Sequence, residues 1–147
     1  MPATERHPLI DRAYQARRDG DRRSALALYL EAARVLYADG RGDIAGVAHA
    51  VRHAADLHEE LGESDDAWRK YNEAWGFYQT LEPEPELDLA NCLRPMALWQ
   101  ETHGLPSRAL PLWREARDWY EKAGAATGLD LQPAFDECDR HIKVLEG

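Results

Sequence analysis

Long hydrophobic runs are missing from this 147-residue chain. No stretch of about eighteen consecutive apolar residues occurs, so a membrane-spanning helix is not expected. The opening MPATERHPLID also lacks the apolar core of a secretory leader, which makes a cytoplasmic location the expectation. Cysteine is scarce. Cys92 and Cys138 stand far apart without CxxC spacing, so buried reduced thiols are expected rather than a disulfide or a metal pair. A basic stripe is lacking too: the net charge is −9 and the arginines are interleaved with more numerous acids, which argues against nucleic acid as a partner. The motifs of several large enzyme classes are absent, namely GxSxG, the P-loop, GxGxxG and HExxH. No catalytic residue and no cofactor is therefore expected. Lysine is rare beside arginine and alanine is abundant, a composition typical of GC-rich bacterial genomes.

What the chain does contain is a repeat. The segment GDRRSALALYLEA from Gly20 aligns without gaps on GESDDAWRKYNEA from Gly62 and GLPSRALPLWREA from Gly104, an offset of 42 residues each time. Gly, Ala, Glu and Ala recur identically in all three, the fourth residue after the first Ala is always a large aromatic, and Ala13, Ala55 and Ala97 repeat upstream in the same frame. Each unit reads as two helices around the glycine. The upstream half carries apolar residues at helical spacing, such as Val47, Val51, Ala54, Ala55 and Leu61, and the glycine supplies the left-handed turn that ends it. Asp21, Ser64 and Ser107 stand where the second helix needs an N-cap. A single hairpin cannot bury both its faces, so the units are expected to stack.

Gly, Ala five residues later, Tyr or Trp four later and Ala three later resembles the tetratricopeptide repeat (TPR), in copies covering about residues 9–124. The resemblance extends to small bacterial proteins of this type. It implies an all-α, right-handed α-solenoid of three TPR-like helix hairpins, about residues 5–42, 43–84 and 85–126, in one domain spanning the whole chain. The period departs from the usual figure of about 34 residues, and the extra length is expected at the helix ends around DGRGDIAG and LEPEPELD. Helices are expected near 6–19, 22–38, 44–61, 65–81, 86–103, 107–123 and 132–146. The last, behind Asp130 as N-cap and within a capping element at about 131–146, closes the open end of the core. EPEPE (82–86) is expected to be a proline-stiffened acidic turn.

The segment HAVRHAADLHEE concentrates three histidines and three acids in twelve residues, 49–60. At about 100° per residue, Arg52, His53, Asp56 and Glu60 fall within roughly 60° of His49, whereas His58 lies near the opposite side with Val47, Val51 and Ala54. A hydrogen-bonded packing role is expected for His58. In TPR solenoids the first helix of each hairpin lines the concave groove, so the resemblance assembles that groove from His7, Ile10, Tyr14, Arg17, His49, Arg52, His53, Asp56, Asn91, Arg94, Leu98 and Arg140. Arg52 and Arg94 are one repeat apart and can together engage an acidic segment or a carboxylate, unless Asp136 neutralises Arg94. Pro95 removes a helical hydrogen bond from Asn91, predicting a kink or a shape adjustment there.

Two functions of different class follow. The first, the default for the resembled family, is a non-catalytic module that binds a peptide or partner protein in the groove, using Tyr14, His49, Arg52, His53, Asp56, Asn91, Arg94, Leu98 and Arg140. The groove positions lack the lysines and asparagines of the chaperone-tail clamp, so that specificity does not carry over. The second is a small-ligand or metal site, with hydrolysis as its extreme form, using His49, His53 and Asp56 with Arg52, Asp88, Asn91 and Arg94. His49 and His53 have the i, i+4 spacing that lets two imidazoles share an ion. Self-association through Trp75, Phe77, Trp119 and Tyr120 is a further possibility.

Overall fold

A computed structural model describes residues 7–39 and 43–147. The predicted start of the first helix at residue 6 and the middle of DGRGDIAG (40–42) lie outside the described residues. Among those described, the chain is entirely helical: α1 Pro8–Arg18, α2 Arg22–Ala38, α3 Ile44–Glu60, α4 Ser64–Gln79, α5 Glu86–Thr102, α6 Pro106–Thr127 and α7 Gln132–Glu146. None of these helices is long and apolar enough to cross a membrane.

The helices gather into two compact units that meet in sequence at Leu81 and Glu82, at the head of the Pro/Glu segment. In the first unit α1 packs on α2, α2 on α3 and α3 on α4; in the second α5 packs on α6 and α6 on α7. The repeat columns form the core of both. Ala13, Ala55 and Ala97, Ala25, Ala67 and Ala109, and Ala32, Ala74 and Ala116 all have 0% exposure. A methyl group is the largest side chain that lets two backbones approach at these points, and the aromatic column of Tyr29, Tyr71 and Trp113 fills the space beside them, buried in each hairpin. The repeated glutamates are not core. Glu31 pairs with Arg34, Glu73 with Lys70, and Glu115 accepts from Trp119 Nε1, each within one turn of its own helix.

The three hairpins turn on one device. Gly20, Gly62 and Gly104 have φ of 82°, 77° and 72°, and the next N–H in each case bonds back to the carbonyl five residues earlier. The N-caps follow expectation less closely. Asp21 accepts from the Ser24 N–H at 3.1 Å; Asp130 accepts from the Gln132 N–H at 3.0 Å but stands one residue before the N-cap of α7, which is Leu131. Ser64, however, is already helical behind Glu63, and in the third hairpin Leu105 holds the cap position because Pro106 at N1 starts the helix earlier than Ser107. α6 continues past residue 123 to Gly128, the next glycine with positive φ, carrying Gly124 within it. Helices α5 and α6 both run on through their prolines, Pro95 and Pro111. Cys92 and Cys138 are buried and not joined in a disulfide.

Glycine-to-alanine changes should have opposite signs at two places ten to fifteen residues apart. Gly76 lies exposed inside α4 with nothing within 4 Å of an added Cβ, so Gly76→Ala should stabilise by roughly 0.5–1 kcal/mol. Gly62 has positive φ, so Gly62→Ala should destabilise by about 1–2 kcal/mol. Urea denaturation of the two variants checks both.

Candidate functional site

The polar face of α3 in the first unit is built from the alternation within HAVRHAADLHEE: the alanines and Val51 turn inward, leaving His49, Arg52, His53 and Asp56 half-buried along one side. His49 and His53 meet edge to face with centroids 4.3 Å apart, and His53 stacks on the buried ring of Tyr29 at 5.1 Å. Arg17 comes from α1: its Nη1 lies 3.5 Å from His53 Nδ1, and its Nη2 donates to Glu60 Oε1 at 3.1 Å. From α4, Tyr71 donates its hydroxyl to Asp56 Oδ1 at 2.5 Å, and the hydroxyl oxygen of Tyr78 accepts from Arg52 Nε at 3.2 Å. Four helices of the unit thus converge on this cluster. It includes Tyr29 and Tyr71, aromatics of the repeat column.

Burial governs the electrostatics. His53 is pushed down to about 2, first by desolvation and then by the positive fields of His49, Arg52 and Arg17, so it is a neutral imidazole at any physiological pH. Asp56 is raised by burial, with Glu60 adding to the shift; the Tyr71 hydrogen bond and the Arg52 and Arg17 charges oppose it. Beside His53 stand two guanidiniums, Arg17 and Arg52, with two carboxyl groups, Asp56 and Glu60, in the same cluster; Arg22 joins it only through Glu60, at 3.8 Å. Tyr14, on α1, is 48% exposed, with the Arg18 guanidinium 5.9 Å from its ring centroid. Ile10 is buried, and His7 caps α1 by accepting from the Leu9 N–H.

The remaining expected site residues belong to the second unit, where the structure gives them internal partners. Asn91 Oδ1 accepts the Tyr120 hydroxyl at 2.8 Å. Arg94 is held through Nε and Nη2 by both carboxylate oxygens of Glu137 on α7; Asp136, the expected neutraliser, instead accepts from Gln132. Leu98 is half-buried, and Arg140 is exposed beside a cavity of about 340 Å³ that Glu101, His141 and Val144 also line. Glu101 anchors a group that sequence reasoning missed. It accepts from Trp113 Nε1 at 2.5 Å and from His141 Nδ1 at 2.8 Å, while the two rings stack at 4.1 Å. Arg52 and Arg94 therefore each have a partner within their own unit.

The structure also places the residues of the two other expectations. His49, His53 and Asp56 are not gathered as a ligand set, because Asp56 turns to Tyr71 and His53 to Arg17 and Tyr29. Among the described residues, the three donors that lie together are His58, Glu63 and Asp66. Of the aromatics expected on the second helices, Tyr120 is buried and Phe77 packs on Tyr37, while Trp75 and Trp119 are half-buried. The exposed aromatic on α2 is Tyr37, 65% exposed, at a groove of about 300 Å³ lined by Leu30, Val51 and Phe77 with Arg34 and Lys70.

No protein-family model matches the chain, and no curated protein matches it.

The neutral His53 has a measurable consequence. Its folded value lies far below its ordinary 6.5, so the unfolded chain takes up the proton first as pH falls. The stability it contributes is complete above about pH 6.5 and is lost below it by up to about 1.4 kcal/mol per pH unit. Between pH 7 and 5.5, His53→Gln should lose about 1 kcal/mol less stability than the parent in denaturant titrations.

Proposed function

We propose that the chain is a TPR-like right-handed α-solenoid acting as a non-catalytic interaction module, and that the polar face of α1 and α3 captures an acidic or carboxylate-bearing segment of a peptide or partner protein. The 42-residue repeat and the matching buried columns support the architectural part. One observation carries the functional part: a chain of net charge −9 sets two guanidiniums, Arg17 and Arg52, beside a neutral imidazole, with Arg22 on the Glu60 that Arg17 also holds and an exposed tyrosine one turn before Arg17 on α1. A guanidinium offers planar paired donors to a carboxylate. Tyr14 adds a large amphipathic contact that loses little conformational freedom on binding. Arg94 is held by both carboxylate oxygens of Glu137, so anion recognition rests on Arg52, which donates to the neutral Tyr78 hydroxyl, with support from Arg17, which shares Glu60 with Arg22, and not on an Arg52–Arg94 pair.

The fixed polar network suits a docking surface. Tyr71, Tyr78 and Tyr29 hold Asp56, Arg52 and His53 by hydrogen bonds and stacking, which reduces the ordering cost at the moment of capture.

A random peptide library selected on the immobilised chain should enrich acidic sequences. Tyr14→Ala should weaken the selected peptides by about tenfold, the effect of losing one buried aromatic anchor, and Tyr37→Ala should leave them unchanged. Loss of binding in Tyr37→Ala with Tyr14→Ala unaffected would instead place recognition in the α2 groove and overturn this reading.

A further inference from the structure

The three hairpin turns share one backbone and differ in what they carry. Asp21 N–H reaches the Ala16 carbonyl at 2.9 Å, Glu63 N–H the His58 carbonyl at 2.8 Å, and Leu105 N–H the Gln100 carbonyl at 2.9 Å. This bond fixes the spacing of the two residues it joins. A third residue, one turn into the following helix, completes each set: Ser24, Asp66 or Arg108. The first turn therefore holds Ala, Asp and Ser, the third holds Gln, Leu and Arg, and the middle turn alone holds His, Glu and Asp.

In that middle turn His58 Nδ1 lies 3.0 Å from Glu63 Oε1, and with an Asp66 carboxylate oxygen the three donor atoms are all within 4.8 Å of one another. The imidazole is well shielded, its side chain 12% exposed. One neutral nitrogen and two carboxylates give a donor charge of −2, which matches a divalent cation. The set as it stands is balanced by two arginines: Arg23 donates to Glu63 Oε2 at 3.0 Å, and Arg69 bonds Asp66. Both arginine side chains are about two-thirds exposed, at 65% and 70%. Exposed pairs of this kind contribute little and swing aside at small cost.

We infer that the α3–α4 turn is a binding site for a single Zn(II) ion, with His58 Nδ1, a Glu63 oxygen and an Asp66 oxygen as ligands and water in the fourth position. Mixed imidazole and carboxylate donors suit zinc, whereas magnesium and calcium favour all-oxygen sets. The ligands draw in to about 2.0–2.2 Å from the metal, and the two carboxylates turn away from their arginines as they do so. The ion then ties the end of α3 to the first turn of α4, across the one turn that the repeat has equipped for it.

The test titrates zinc chloride into the full chain in a non-chelating buffer, following heat and melting temperature, with cobalt(II) chloride as the absorbing probe. One equivalent should bind and raise the melting temperature, since an ion that binds only the folded state must stabilise it. His58→Gln installs the residue that the third turn carries at this position, so it keeps the fold, as thermal unfolding will report. His58→Gln and Asp66→Asn should each weaken binding by at least about tenfold, while His103→Asn, at an exposed histidine in the third turn, leaves it unchanged. Absence of saturable uptake by the parent, or equal affinity in His58→Gln, overturns the inference.

Discussion

Close approach at the alanine columns is the constraint on which the structure rests. Nine alanines at three frame positions have no exposure at all, and each triplet sits beside a buried Tyr or Trp. Enlarging any of these methyl groups would wedge helices apart and separate the aromatic from the side chains it holds. The hydrogen bonds of the polar cluster depend on that spacing, because Tyr71 and Tyr78 reach Asp56 and Arg52 from α4 only while α3 and α4 stay in contact. Apolar packing therefore positions the polar groups, and not the reverse. A net intramolecular hydrogen bond contributes only about 1 kcal/mol, whereas a fully buried large side chain contributes about 1.5–3 kcal/mol.

The same aromatic column does two jobs because its members have polar edges. Tyr71 donates to Asp56, Trp113 donates to Glu101, and Tyr29 presents a face to His53. A phenylalanine at Tyr71 or Trp113 would keep an aromatic in the core and remove one donor from Asp56 or Glu101.

Much of the fold was legible in the chain because the repeat fixes where hairpins turn. The glycines at 20, 62 and 104 mark the helix ends, and the helices begin and end within a few residues of the expected places. The exceptions have local causes. The helix expected to end near residue 123 runs on to Thr127 with Gly124 inside it, where a glycine costs only about 1 kcal/mol, and Pro106 displaced the cap from Ser107. The side of α3 bearing His49, Arg52, His53 and Asp56 was also legible, since it follows from helical geometry alone. Their partners were not. Glu137 lies 43 residues from Arg94, and Tyr71 lies 15 from Asp56 across a turn. The grouping of His58 with Glu63 and Asp66 escaped for a related reason: a wheel drawn for α3 stops at Gly62, and the donors that meet His58 lie beyond it.

The attachment of α7 differs in kind from that of the other helices. Only Cys138 of its fifteen residues is buried, and the helix is tied down by Arg94 to Glu137, Arg117 to Asp139, Arg114 to Glu146 and His141 to Glu101. Charged contacts at a half-open surface are screened within about 8–10 Å at ordinary ionic strength and weaken as electrolyte is added. Apolar contacts respond in the opposite sense to salting-out ions. Raising the ionic strength therefore loosens α7 from α5 and α6 within the second unit while the alanine-lined hairpins hold, which makes α7 a latch set by the electrolyte around it.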